Sequence, residues 1–186
     1  MNIDEFGLVG RRIEERYDVE LVVAAGGFGT VYLGRHRALR TPVAIKVLRI
    51  PTHLGDAARV EFAQRFLAEA QTIGQLQHPA VVRAVDFGVS AMPSGESVPW
   101  MALEWVDGPT LRQFLEARSG QPMSPPEALA LLRPVLEALA SAHADGIAHR
   151  DIKPANIMLP RGAAALPSRI LDFGIAKAMR PEESAG

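Results

Sequence analysis

His149-Arg150-Asp151-Ile152-Lys153-Pro154-Ala155-Asn156 is the stretch on which the reading turns. A carboxylate, an ammonium group and a carboxamide recur at close spacing in one short loop, and each suits one task in moving a phosphoryl group. Asp151 can accept the proton of an attacking hydroxyl. Lys153 can neutralise the phosphate in transit, and Asn156 can offer its amide oxygen to Mg²⁺. Six specified residues in eight positions are too many for a loop with only a structural task.

Downstream, Asp172-Phe173-Gly174 follows a short strand expected at Arg169–Leu171. A carboxylate at that place can bridge Mg²⁺ to the β- and γ-phosphates of a nucleotide. The same three letters occur at Asp86-Phe87-Gly88, but there they precede the decisive stretch and close a strand, so a structural role is expected. Upstream, Ala24-Ala25-Gly26-Gly27-Phe28-Gly29-Thr30-Val31 can present backbone N–H groups to phosphate oxygens, because its glycines leave the backbone uncovered. Taken alone, it reads better as an ordinary hairpin turn. It is not a dinucleotide fingerprint, since a strand and not a helix follows, and no G-x-x-x-x-G-K-[ST] loop occurs anywhere. Lys46 ends the strand segment Val43-Ala44-Ile45-Lys46, and Glu69 lies on the helix that follows. Taken separately, each reads as a surface charge.

The elements around these motifs can be read from periodicity. Residues 1–16 form a polar lead-in, Tyr17–Ala24 and Thr30–Gly34 pair as a hairpin, and Pro42 opens a third strand ending at Leu48. Val60, Phe62, Phe66, Leu67, Ala70, Ile73 and Leu76 mark a helix over 57–76. Two more strands are expected at Val81–Phe87 and Val98–Val106. After Asp107-Gly108-Pro109 the character changes to helices, one capped by Thr110 and one opening at Ser124-Pro125-Pro126-Glu127, running to about His143 with a kink at Pro134. Apolar residues make up 48 % of the 186, enough for a core, and 20 Lys and Arg against 21 Asp and Glu give no sign of a general nucleic-acid or anionic-membrane binder. The absence of cysteine excludes disulfides and thiolate zinc sites. No signal peptide opens the chain, and its richest apolar run, Ala128–Ala144, is too short and too interrupted to span a bilayer. A cytoplasmic location is expected, with any membrane anchor of a longer parent lying outside this segment.

In this order along the chain, the motifs resemble the eukaryotic-like protein kinases, and the bacterial serine/threonine branch most closely, over about Tyr17–Lys177. The resemblance implies an α+β, protein-kinase-like two-lobe fold: an antiparallel β small lobe with one long helix over 17–106, and an incomplete, mainly helical large lobe over 107–186. It implies ATP and Mg²⁺ as cofactors and a protein carrying Ser or Thr as substrate. Carried over by position, Gly26, Gly27 and Gly29 cover the phosphates with Phe28 at the tip. Val31, Ala44 and Met158 sandwich the adenine. Lys46 binds the α- and β-phosphates and pairs with Glu69. Leu103 is the gatekeeper, and Glu104 to Val106 form the hinge. Asp151 is the catalytic base, Lys153 assists at the γ-phosphate, and Asn156 and Asp172 hold the metal. Ile73, Ala84, His149 and Phe173 are similar to the family's hydrophobic spine, and Lys153 to the serine/threonine and not the tyrosine branch.

Two departures bear on activity. Ala24 stands where the family has its first loop glycine, which loosens the grip on ATP. The chain also closes at Gly186, before the rest of the activation segment, the Ala-Pro-Glu motif and further helices, and past Phe173 only Ser184 offers a hydroxyl for Arg150 to meet once phosphorylated. A fragment of a longer kinase is therefore expected, weak by itself, with Leu129, Leu132, Leu136 and Leu139 bare along one helix and a dimer or intramolecular partner open to the full-length protein. Two other functions stay on the table. A nucleotide-binding pseudokinase or regulatory scaffold is opposed by the intact Lys46, Asp151, Asn156 and Asp172. A small-molecule phosphotransferase of related fold, such as an antibiotic kinase, is opposed by Lys153-Pro154 and Asp-Phe-Gly.

Overall fold

The computed structural model describes residues 3–162 and 167–173. Gly174 of the Asp-Phe-Gly motif and Ser184 lie outside the described residues. Two compact units divide the described residues: one holds 3–74 and 84–105, the other 75–83, 106–162 and 167–173.

The first unit is built on a six-stranded antiparallel sheet in the order β1-β2-β3-β4-β6-β5. Its strands are β1 (Arg12–Ile13), β2 (Tyr17–Gly26), β3 (Gly29–His36), β4 (Pro42–Leu48), β5 (Ala84–Ala91) and β6 (Ser97–Glu104). The alternation of residues along β3 and β4 divides the sheet into two unlike faces. Thr30, Tyr32, Ile45, Val47 and Trp100 are wholly buried on one face. Cross-strand pairing sets Val31 against Lys46, Lys46 against Met101, and Ala44 against both Leu33 and Leu103, so these share the opposite face. There Val31, Ala44 and Lys46 are only half-buried.

The lead-in helps to cover the buried face. Leu8 and Ile13 are each 2 % exposed, and β1 adds a strand beside β2. The polar letters of this segment conceal that packing. Tyr17, nearly wholly buried, lies edge-on to both Trp100 and His36, with centroids 5.8 and 5.1 Å away. Helix α1 (Asp56–Gly74) buries Phe62, Phe66, Ala70 and Ile73, four of the positions that marked its period, and packs on β5 and β6.

The second unit holds α2 (Leu111–Ala117), α3 (Pro125–Ala144), one 3-10 turn over Pro154–Asn156, and a small pair of strands, β7 (Ile157–Met158) and β8 (Arg169–Ile170). Both helices open on reciprocal caps: Thr110 with Gln113, and Ser124 with Glu127. Such caps contribute about 1 kcal/mol each. Helix α3 continues past Pro134 and buries Val135, Ala138 and Ala142. Leu129, Leu132 and Leu136 are exposed, whereas Leu139 is half-covered.

One strand is displaced from its expected place. The apolar run at Val81 does not begin a sheet strand. Val81 forms a parallel bridge with Ile170, and the Val82 N–H donates to the Ile170 carbonyl at 2.9 Å, so this run belongs to the second unit. Strand β5 starts only at Ala84 and runs on to Ala91.

Candidate active site

The decisive loop is held from within. The His149 ring is 1 % exposed and stacks at a tilt on Phe173, with centroids 4.7 Å apart. Its Nδ1 accepts the Asp151 N–H at 3.2 Å, so Nε2 carries the ring hydrogen and donates to the Leu171 carbonyl at 2.8 Å. Burial pushes the His149 pKa below its ordinary value, and the bond to the Leu171 carbonyl only partly offsets this. The ring is therefore a neutral strut joining the loop to the segment that leads into Asp172.

Asp151 is fixed by two neighbours in sequence. Lys153 Nζ lies 2.7 Å from Asp151 Oδ2, and Asn156 Nδ2 donates to the same oxygen at 3.0 Å and to the Asp151 carbonyl at 2.9 Å. The Lys153 bond, aided by Asn156 and opposed by burial, holds the Asp151 pKa below its ordinary value. Asp151 is thus an ionised acceptor at neutral pH. With the Asn156 nitrogen used in this way, its amide oxygen is the end left for a hard cation, which fits Mg²⁺ with its preference for oxygen ligands.

Backbone strain marks the same segment. Arg150 and Asp172 adopt left-handed φ values of 63° and 57°. Such conformations cost on the order of 1–3 kcal/mol each and persist only where the surroundings impose them. Here the Leu171 N–H bonds to the Asn156 carbonyl at 2.9 Å, and β7 pairs with β8, tying the two segments side by side. Met158 sits on β7, bridged to Thr110.

The first unit brings together a second group of the expected residues. Gly26 and Gly29 pair across the tip of the β2–β3 hairpin, and the Phe28 ring stands 57 % exposed at that tip. Of the three hairpin glycines, Gly29 is the one that the backbone requires. Its φ is 136°, and a Cβ there would lie 2.0 Å from the Val47 carbonyl oxygen. Val31, Ala44, Lys46 and the buried Leu103 share one sheet face, as the register above sets out. Glu69 is half-buried on α1, Glu104 closes β6, and Val106 is buried in the second unit.

The second Asp-Phe-Gly is structural. Asp86 accepts the Tyr17 hydroxyl at 2.9 Å and pairs with Arg16 at 2.8 Å, while a Cβ on Gly88 would press on the Trp100 ring. Three polar contacts of the hairpin escaped the sequence reading. Arg49, Glu5 and Thr30 all bond in its neighbourhood, and no motif or spacing signals them.

The family of protein kinase domains matches residues 17–185. This chain belongs to the protein kinase domain family. Among its relatives, a probable serine/threonine-protein kinase of Streptomyces coelicolor is 41 % identical over 170 residues, 91 % of this chain and 24 % of that protein. The serine/threonine-protein kinase PknB of Mycobacterium tuberculosis is 39 % identical over 168 residues, 90 % of this chain and 25 % of that protein. Pkn2 of Myxococcus xanthus is 39 % identical over 173 residues, 93 % of this chain and 19 % of its own length. The chain thus spans a quarter or less of the curated relatives it matches. A crystal structure of the PknI kinase domain of Mycobacterium tuberculosis superposes with a TM-score of 0.72 at 29 % identity, covering 94 % of this chain and 64 % of that one. The expected α+β kinase-like fold and the bacterial serine/threonine resemblance both stand, and the family uses ATP and a divalent metal in general. Among the described residues, no helix is long and apolar enough to cross a membrane.

Proposed function

We propose that this chain is the nucleotide-binding and catalytic part of a serine/threonine protein kinase, passing the γ-phosphoryl group of ATP to Ser or Thr hydroxyls of a protein. The observation that carries this reading is the Asp151 carboxylate, held between Lys153 Nζ and Asn156 Nδ2 at 2.7 and 3.0 Å within one loop. In the reaction the substrate oxygen bonds to the γ-phosphorus, the bond from that phosphorus to the β–γ bridging oxygen breaks, and ADP leaves. The hydroxyl proton passes to Asp151. A carboxylate whose pKa is lowered is a weak base. Its main contribution is to orient the hydroxyl and receive the proton late, as suits a reaction that depends on positioning and charge stabilisation.

Lys153, beside Asp151, faces the charge on the transferred group. Lys46, fixed by Glu69, is assigned the α- and β-phosphates, and the Gly26–Gly29 hairpin covers them. Val31, Ala44 and Met158 line the adenine, with Leu103 as gatekeeper and the backbone of Glu104 to Val106 reading its edge. Asn156 and Asp172 would hold Mg²⁺, which when bound neutralises phosphate charge. The protein substrate and a dimer or intramolecular partner belong to the same proposal.

The test is to incubate the full-length protein with Mg²⁺ and γ-labelled ATP and a generic basic protein, followed by phosphoamino-acid analysis. Label on phosphoserine or phosphothreonine is expected. Nucleotide binding without transfer would point to a pseudokinase, and transfer only to small molecules would point to the related phosphotransferases.

A further inference from the structure

We infer that the segment Asp4–Val9, which precedes the family match, is a clamp that positions the phosphate-covering hairpin through Glu5 and Arg49. The inference rests on the reading of that hairpin given above. The segment is anchored first. The Asp4 carboxylate accepts the Leu8 and Val9 N–H groups at 3.0 and 2.9 Å and the Tyr32 hydroxyl at 2.8 Å, and Leu8 is buried beneath it. Glu5 is thereby set beside the base of the hairpin. Its two oxygens meet Arg49 Nε and Nη2 at 2.5 and 2.6 Å, a two-pronged pair, and Oε2 also accepts the Thr30 hydroxyl at 3.2 Å.

Arg49 then grips the hairpin twice. Its backbone N–H donates to the Phe28 carbonyl and its Nη1 to the Gly27 carbonyl, each at 3.1 Å. Beside the strand pairing of Gly29 with Gly26 and Leu48, little packs on this tip among the described residues. The Phe28 ring is exposed, and the space where side chains on Gly26 and Gly27 would lie holds no atom within 4 Å. The Glu5 and Arg49 side chains are 30 % and 40 % exposed, and pairs at such exposure contribute little to global stability. The clamp therefore acts on the local order of the hairpin and leaves overall folding nearly unchanged. Glu5 and Arg49 are positioning residues for the nucleotide phosphates, not ligands of them.

Two measurements on the full-length protein test this, using Glu5→Ala and Arg49→Met, with Arg49→Lys keeping the charge but losing the fork. Without nucleotide, amide exchange at 27–30 should quicken several-fold in Glu5→Ala and Arg49→Met while the melting temperature barely moves. With Mg²⁺, affinity for ATP should fall by about 2- to 10-fold, in keeping with one or two lost hydrogen bonds, while affinity for adenosine holds. Arg49→Lys should fall between these variants and wild type. Unchanged exchange overturns the clamp. Faster exchange with an unchanged ATP-to-adenosine ratio, or an equal loss for both ligands, overturns its role in positioning. A wild-type protein that prefers ATP no more than adenosine overturns instead the assignment of the hairpin to phosphates, whatever the exchange shows.

Discussion

The β2–β3 hairpin and the loop around Asp151 are both assigned to phosphate, yet they are held by opposite means. The hairpin tip is exposed, lacks side-chain packing and is gripped from outside by Arg49. The Asp151 loop is gripped from inside, by a buried imidazole, a lysine two residues away and an asparagine five residues away. The difference follows from what each must do. A cover over a substrate must admit and release it, so its restraints are few and lie at the surface. A group that receives a proton must already stand in place, so its restraints are many, short and local in sequence.

The contrast can be sharpened by removing charge from the hairpin's unit. Lys46→Met should cut phosphate transfer on the order of 10²-fold or more, as expected for loss of one fixed electrostatic partner of the reacting group. Because Lys46 is only half-buried, circular dichroism and melting temperature should stay near wild type. Wild-type turnover in this variant would sever the Val-Ala-Ile-Lys strand from the chemistry.

Within the hairpin, two glycines should behave unlike each other. Gly29→Ala meets both a left-handed φ and the Val47 carbonyl, and should destabilise the first unit by about 1–3 kcal/mol in urea unfolding. At Gly26, with open space around it, Ala should change stability by no more than about 1 kcal/mol. Equal costs would show that the tip is packed more tightly than its exposure implies.

The buried strut of the other region makes it sensitive to acid. The folded-state pKa of His149 lies below its value in the unfolded chain, about 6.5. As pH falls through 6.5, the unfolded chain takes up a proton that the folded ring refuses, so stability drops as pH goes down and is regained as it rises. Urea unfolding of wild type between pH 7.5 and 5, set against His149→Phe, should show a shallower slope in the variant. Parallel slopes would mean that the ring titrates freely.

Ala24→Gly should have the smallest effect. Ala24 is exposed and pairs with Val31, so restoring the family glycine should tighten ATP binding by no more than about fivefold, opposed by about 0.5–1 kcal/mol of backbone entropy. Calorimetry with Mg²⁺–ATP reads this, and weaker binding would refute it.

What was legible in the sequence was whatever is written locally. The caps at Thr110 and Ser124, the period of α1 and the offsets among Asp151, Lys153 and Asn156 each need only a few neighbouring residues, and each appears in the structure in its expected place. What was missed depends on partners far along the chain. Val81 reads as the start of a strand because it is apolar and β-branched, but its partner is Ile170. Asp4 and Glu5 read as a polar lead-in because their partners, Tyr32, Thr30 and Arg49, lie 25 to 44 residues away. Lys46 and Glu69 were named only through the joint order of motifs, since neither carries a signal alone.

Whether Asp151 serves transfer and not nucleotide binding is decided by measuring nucleotide affinity and single-turnover phosphate transfer together in full-length wild type and Asp151→Asn. Near-normal affinity for Mg²⁺–ATP is expected, with a transfer rate lower by roughly 10²- to 10⁴-fold, the cost of a lost general base. Collapse of binding with an unchanged rate per bound nucleotide would contradict it and make Asp151 a structural residue.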